Sequence, residues 1–216
     1  VWGCYYKPFS EGVDATWFGS MVTGGKDVIR TVAMNDEYVF LSKDAEKDVN
    51  NKGGVYAISI SDPSNVKLLP QDGIPDGTKI FGITTLANSV LAATFPMGNN
   101  ANFKIYSWEG DNAAPKVVLE YVTPENMRLG DKITTEGNWK EGKIWLYDTT
   151  SGKKVLCFTV SDFVINPKPE IIDLDAKMGN YGAFFPYKDN QYVWGGGASA
   201  TLFSVDGTMA ESVYSF

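Results

Sequence analysis

The chain has 216 residues, with 19 Lys and Arg against 26 Asp and Glu and a formal net charge of −7. Hydrophobic residues make up 44% of it and charged residues 21%, which is enough apolar material for a packed core and argues against disorder. The acidic balance, without any block of Lys or Arg, argues against nucleic acid and anionic membrane surfaces as partners.

Histidine is absent from the chain. Because histidine is the usual proton shuttle near neutral pH and a common zinc ligand, its absence excludes Ser-His-Asp hydrolases, Cys-His proteases and His-ligated metal sites. No segment approaches the ~20 apolar residues that a membrane-spanning helix needs, so we expect no membrane span within this chain.

Short apolar runs rich in Val, Ile, Tyr, Phe and Thr alternate with turns along the whole chain. The 22 Gly and 10 Pro are spread from end to end, which is typical of many short strands. No run of about 12 residues has the apolar spacing of an amphipathic helix. The sequence predicts an all-β fold, with the clearest period-2 strands at Glu37–Ser42, Val55–Ile60, Phe103–Trp108 and Lys143–Asp148.

A unit of apolar strand, short turn, second strand and aromatic-containing strand recurs about every 50 residues. A four-stranded propeller blade with its loops occupies ~40–50 residues, so the repeat predicts a β-propeller-like fold of about four to five blade units. We expect a single domain over residues 1–216, with units near 30–80, 81–127, 128–181 and 182–216.

The ends of the chain bear on whether this propeller closes. We expect residues 14–22 to add an outer strand to the blade that the C-terminus begins, since an open arc would leave exposed sheet edges. The chain starts at Val1 without an initiator methionine. Together with the repeat, this predicts that the chain is part of a longer propeller.

Neither metal nor redox chemistry is expected. Cys4 and Cys157 are far apart and have no CxxC spacing. We predict a buried apolar thiol at Cys157. A Cys4–Cys157 disulfide is the alternative, if the ends of the fold meet. The loop 44–51 is rich in oxygen ligands, but Val49 stands where a calcium-binding EF-hand loop needs glycine. We therefore predict a solvated loop, no metal and no cofactor.

Arg128 and Asp131, with Lys132, form a charged cluster around Gly130. Glycine allows a close approach of the backbone, and Asp131 could then cap a neighbouring turn as a structural polar staple within a blade. The alternative is that this cluster contacts a ligand in the central channel.

Aromatic side chains are candidates for a glycan site, because sugar rings stack their apolar faces on flat rings. Most aromatic residues are expected in the core, since both faces of a blade pack against its neighbours. We expect two aromatic side chains to be exposed: Trp139, which lies in a polar loop, and Tyr181, which follows a Gly-Asn pair. Trp194 precedes three glycines, which suit a loop at a binding surface or a wide turn. The candidate ligand-binding residues are Trp139, Tyr181, Trp194, Arg128 and Asp131; none is predicted to be catalytic.

Part of the second and third units resembles a known group of proteins. The resemblance is carried by residues 102–108 (NFKIYSW), 113–115 (AAP), 128–132 (RLGDK) and 137–139 (GNW). These segments are similar to a group of uncharacterised exported proteins and lipoproteins of Gram-negative gut bacteria, and the resemblance covers roughly residues 27–216. It implies a β-propeller-like fold, a periplasmic or cell-surface location and proximity to polysaccharide-handling systems. It implies no catalytic residue.

These observations predict a non-catalytic extracytoplasmic binding module, with a glycan as the leading ligand class and another envelope protein as the other partner. Two alternatives stay open. One is a structural or protein-interaction propeller scaffold. The other is a His-free glycoside hydrolase or lyase, which would need two carboxylates ~5–9.5 Å apart. The sequence selects no such pair among its Asp and Glu residues.

Overall fold

The computed structural model describes residues 29–43, 54–196 and 199–215. All the secondary-structure elements in these ranges are β-strands, so the all-β prediction is confirmed. The described ranges contain no helix that is long and apolar enough to cross a membrane. Three predictions lie outside the described residues: the strand at 14–22, the loop 44–51 and the Cys4 end of the Cys4–Cys157 disulfide.

The strands form four antiparallel meanders that follow one another along the chain. Meander 1 contains β1 (Ile29–Met34), β2 (Tyr38–Lys43), β3 (Gly54–Ser59) and β4 (Val66–Leu68). Meander 2 contains β5 (Ile80–Leu86), β6 (Ser89–Thr94), β8 (Asn102–Trp108) and β9 (Lys116–Val122). Between β6 and β8, the two-residue strand β7 (Met97–Gly98) pairs with β10 (Met127–Arg128).

The third and fourth meanders share one sheet of nine strands. Meander 3 contains β11 (Thr134–Gly137), β12 (Glu141–Asp148), β13 (Lys154–Ser161) and β15 (Glu170–Leu174), and the short β14 (Val164–Ile165) pairs with β13. Meander 4 contains β16 (Ala183–Lys188), β17 (Gln191–Gly196), β18 (Ser199–Asp206) and β19 (Met209–Ser215). The outer strands β15 and β19 join the two meanders through a short parallel pairing.

Both faces of the central strands of meanders 2 and 3 are apolar, because each of these meanders packs between two others. In β12, Ile144 and Leu146 belong to the core shared with meander 2, whereas Trp145 and Tyr147 belong to the core shared with meander 4. This alternation follows from the period of two along a strand. The four strands predicted from period-2 alternation are confirmed as β2, β3, β8 and β12.

The first strands of meanders 1 and 2 lie side by side and are joined by threonine hydroxyl groups. The Thr31 Oγ1 of β1 donates to the Phe81 carbonyl of β5 and accepts a hydrogen bond from the Ile83 amide. Further along, the Thr85 Oγ1 of β5 donates to the Met34 carbonyl of β1. Early residues of β1 meet early residues of β5, and late residues meet late ones. The two strands therefore run in the same direction.

The same kind of contact continues to meanders 3 and 4. The Thr135 Oγ1 of β11 donates to the Thr85 carbonyl, 2.7 Å away, and the Gly82 amide donates to the Gly130 carbonyl just before β11. The Thr134 Oγ1 donates to the buried Phe184 carbonyl of β16. The four first strands are thus linked in the order β1, β5, β11, β16.

One boundary differs from the repeat expected from the sequence. The first strands of three meanders begin at residues 29, 80 and 183, within one residue of the expected starts. The third begins at Thr134, not at Arg128. The cause is local: Arg128 pairs with meander 2 through β10, and Gly130 turns with a φ of +84°, a conformation that a strand residue does not adopt.

The hydroxyl links between first strands should contribute measurably to stability. We expect Thr134→Val to lower the free energy of unfolding by about 1–3 kcal/mol, because the buried Phe184 carbonyl loses its donor. The control is Thr159→Val, an exposed position on β13, which should change stability by less than about 0.5 kcal/mol. Denaturant unfolding of both variants measures this, and equal losses would show that the hydroxyl link is unimportant.

Candidate binding site

The parallel first strands place their N-terminal ends at one end of the sheet array. Residues from all four meanders meet there, and we call this set the basic rim. Its members carry cationic, aromatic or carboxylate side chains: Arg30 of β1, Phe81 of β5, Phe95 after β6, Arg128, Asp131 and Lys132 before β11, and Tyr181 before β16.

Two glycines allow the backbones at the rim to approach closely. Gly130 has a φ of +84°, and a Cβ there would lie 2.0 Å from the Thr94 carbonyl oxygen. Gly82 also lies against this segment, since a Cβ on it would come within 2.8 Å of the Gly130 oxygen. Any larger side chain would push the 128–132 segment away from β5. The position of the charged cluster therefore depends on these glycines.

Cations and aromatic rings form one continuous series of contacts across the rim. The Arg30 guanidinium lies 4.4 Å from the centre of the Phe81 ring, which stacks on Phe95 at 4.2 Å. The Arg128 guanidinium lies 4.7 Å from the Phe95 ring and 4.8 Å from the Tyr181 ring. Cation–π contacts of this kind contribute about 0.5–1 kcal/mol each at exposed sites. We call the five groups the rim stack.

Arg128 and Asp131 form a two-pronged ion pair. Nε and Nη2 of Arg128 donate to the two carboxylate oxygens of Asp131, both at 2.7 Å. Thr149 Oγ1 donates to the same carboxylate. Asp131 is buried, and its hydrogen bond to Arg128 raises the pKa of the guanidinium above its usual value. These contacts tie the side chains of Arg128, Asp131 and Thr149 together. The pair also fixes the plane of the guanidinium under Tyr181.

Lys132 reaches across to meander 1. Its Nζ donates to the Arg30 carbonyl at 2.8 Å. Burial lowers the pKa of Lys132, the nearby Asp131 carboxylate raises it, and the positive charge of Arg30 lowers it. Two cations from different meanders therefore lie near each other, with the Asp131 carboxylate beside them.

Tyr181 presents a ring to solvent at the rim. Its side chain is 57% exposed, and its φ of +62° is unusual for a bulky residue. The backbone around it is held by the core: the Tyr147 hydroxyl donates to the Gly179 carbonyl, and Gly182 lies against the Trp194 indole. The expected exposure of Tyr181 is confirmed.

Trp194 does not reach the surface. It is 1% exposed, within the core between meanders 3 and 4, with Tyr147 at 5.9 Å. A Cβ on Gly182 would come within 2.3 Å of the indole, so the ring fits only beneath a glycine. The expectation that the glycines after Trp194 expose it at a binding surface is wrong, because its alternation with Tyr192 points both rings into the core. Its role is to support the Tyr181 turn.

Trp139 lies away from the rim. It is half-buried against the core between meanders 2 and 3, and its Nε1 donates to Ser89 Oγ at 3.1 Å. Ser89 begins β6, immediately after the C-terminal end of β5, so this contact is at the opposite end of the first strands. Trp139 is thus less exposed than its polar loop suggested. Of the five candidates, the structure brings together Arg128, Asp131 and Tyr181.

Three residues of the rim stack were missed by the sequence analysis. Phe81 and Phe95 look like ordinary core residues in sequence, and Phe81 is indeed 5% exposed. Arg30 is one of many surface cations. The available signal was the repeat itself, because Arg30, Phe81 and Lys132 all lie near the start of a unit.

The described part of the chain offers no group of three or more Cys, Asp or Glu side chains that could hold a metal ion. Cys157 is a buried thiol in the core between meanders 3 and 4, and burial raises its pKa to about 12. A protonated, buried thiol is a poor nucleophile. The aromatic rings and N–H groups of the rim can stack on a ligand and donate hydrogen bonds to it.

Comparisons with known proteins find similarity among solved structures. No protein-family model matches the chain, and no curated protein matches it. Its fold is similar to the solved structure of a DUF4623 family protein from Bacteroides eggerthii, with a TM-score of 0.64 and 16% sequence identity. The match covers 84% of this chain and 43% of that one, so the chain spans less than half of its structural neighbour.

This likeness shows a shared fold. It agrees with the resemblance to uncharacterised proteins of Gram-negative gut bacteria, since the neighbour is such a protein from Bacteroides. Export, the lipoprotein character and the propeller remain predictions.

Gly130 tests whether the close approach at the rim is required. We expect Gly130→Ala to cost at least about 2 kcal/mol more stability than Gly73→Ala, because its Cβ would overlap the Thr94 carbonyl. Gly73 is the matched control: its φ of +86° is almost the same, but a Cβ there meets open space. It should lose only the ~1–2 kcal/mol of a left-handed alanine. Equal losses measured by denaturant unfolding would contradict the close approach.

The two aromatic candidates should respond differently to truncation. We expect Trp194→Ala to lower the free energy of unfolding by about 3–5 kcal/mol, as for a buried tryptophan. Tyr181→Ala should cost less than about 1 kcal/mol, since it removes an exposed ring and one cation–π contact. Thermal or denaturant unfolding distinguishes the two. A large loss for Tyr181→Ala would place that ring in the core.

Proposed function

We propose that this protein is a non-catalytic extracytoplasmic binding module that binds carbohydrate at the basic rim. The observation that carries the proposal is Tyr181, an exposed ring held in a fixed orientation by Arg128 on one side and by its own constrained backbone. A pre-oriented aromatic ring beside N–H donors is the arrangement that sugar recognition needs, because the apolar face of a sugar stacks while its hydroxyls accept hydrogen bonds. The extracytoplasmic location rests on the sequence resemblance alone.

We also propose that the four meanders are successive blades of a β-propeller. Two facts support this: each meander packs face to face on the next, and the first strands lie side by side in chain order. Propeller blades pack in this way around a central channel. The rim would then lie at one mouth of that channel, where propellers bind ligands.

The carboxylates near the rim favour binding over hydrolysis. A glycoside hydrolase needs two carboxylates whose oxygens can reach the substrate. Both oxygens of Asp131 are bound by Arg128. Asp148 is 1% exposed and accepts hydrogen bonds from the backbone amides of Arg128, Thr150 and Ser151. The carboxylates of Asp131 and Asp148 are thus both engaged in hydrogen bonds that hold the segments around them in place.

Binding to an oligosaccharide array, followed by titration calorimetry on the best ligand, tests the proposal. We expect Tyr181→Ala to weaken binding at least tenfold, because the stacking platform is lost. Tyr187→Ala is the matched control: Tyr187 is 67% exposed on β16 but lies at the end of that strand remote from the rim. It should bind like the wild type. The absence of any glycan ligand, or equal binding by both variants, would contradict the proposal.

A further inference from the structure

An open pocket lies beside the rim stack, and we call it the side pocket. It is formed between the loop 75–79, which leads into β5, and the rim ends of β6 and β8. Its volume is about 230 Å³. Pockets for drug-sized ligands measure about 300–1,000 Å³, so this one has room for a single small ring. Phe95 belongs both to the rim stack and to the lining of the side pocket, so the two are continuous.

The apolar part of the side pocket is held in a fixed shape. Pro75, Pro96 and Phe95 line it. The two proline rings have little conformational freedom, and the Phe95 ring contacts the Phe81 ring at 4.2 Å and the Arg128 guanidinium at 4.7 Å. Such a surface can receive the apolar face of a sugar with little loss of side-chain freedom on binding.

Some polar side chains of the side pocket are already used by the protein itself. Thr78 Oγ1 donates to the Pro75 carbonyl, and Thr94 Oγ1 accepts a hydrogen bond from the Lys104 amide. The Lys104 ammonium forms an ion pair with Glu120. These groups shape the pocket and are not the ones that would bind a ligand.

Two other polar side chains of the side pocket are available to a ligand. Asn102 and Lys79 both line the pocket and are exposed. Neither side chain makes a hydrogen bond or an ion pair with another described residue. The Asn102 amide both donates and accepts hydrogen bonds, and the Lys79 ammonium donates them. Sugar hydroxyls, which also donate and accept, match these two groups.

We infer that the protein binds a linear oligosaccharide of at least three units, in which one sugar stacks on Tyr181 and another enters the side pocket, where Asn102 and Lys79 bind its hydroxyls. This inference rests on the proposed carbohydrate-binding function and adds the length of the ligand and a second binding position. A single sugar does not reach both places, because the Arg128 guanidinium and the Phe95 ring lie between Tyr181 and the side pocket.

The dependence of affinity on chain length is the first test. The probes are linear gluco-, manno- and xylo-oligosaccharides of one to six units, titrated by NMR so that weak binding of the monosaccharides is measured as well. In a series that binds, affinity should rise at least tenfold from the monosaccharide to the trisaccharide, because linkage makes the second contact intramolecular. Equal affinity at all lengths would overturn the inference and leave carbohydrate binding at Tyr181 standing.

A double variant assigns the gain to the side pocket. Asn102→Ala combined with Lys79→Met should bring the affinity for the trisaccharide to within about threefold of that for the monosaccharide, and should leave binding of the monosaccharide unchanged. The matched control is Asn112→Ala combined with Lys116→Met, since these exposed residues lie beyond the opposite end of β8. It should bind every length like the wild type. Thermal unfolding checks that both double variants are folded.

The outcomes separate this inference from the proposed function. Tyr181→Ala should weaken binding of every length, whereas the side-pocket variant should weaken binding of the longer chains alone. A preference for the trisaccharide that the side-pocket variant does not change would overturn the inference. If no member of the panel binds, the inference fails, and the oligosaccharide array alone then decides whether the protein binds carbohydrate.

Discussion

The structure depends on how the first strand of each meander is joined to the next. A first strand is an edge of its own sheet, and its outward carbonyl groups would lack partners in a purely sheet-by-sheet assembly. Threonine hydroxyls supply those partners between β1 and β5, between β5 and β11, and between β11 and β16. Because each link joins residues at matching heights, the first strands run side by side and their N-terminal ends meet.

The functional consequence is that residues far apart in sequence become neighbours at one end. Lys132 and Arg30 are separated by 102 residues, yet the Lys132 ammonium donates a hydrogen bond to the Arg30 carbonyl.

Local patterns in the sequence were sufficient for the strands but not for the site. Alternation identified β12 and placed Trp145 and Tyr147 on the same face, because a period of two depends only on the strand itself. The charged cluster around Gly130 could be found because glycine and charge together mark a turn. Arg30 and Phe95 could not, since their role comes from contacts between meanders that no local pattern encodes. The exposure expected for Trp194 was wrong for the same reason, because Gly182 and Tyr147, which pack against its ring, are distant in sequence.

Hydrogen exchange of backbone amides, with and without the best oligosaccharide ligand from the array, tests most directly whether the basic rim is the binding surface. The account predicts slower exchange in residues 80–82, 128–132 and 179–182, from three different meanders, on addition of the ligand. Exchange in the turns 35–37, 87–88 and 137–140 at the opposite end should stay unchanged. Protection confined to those opposite turns, or no protection of the rim by a ligand that binds, would contradict the account.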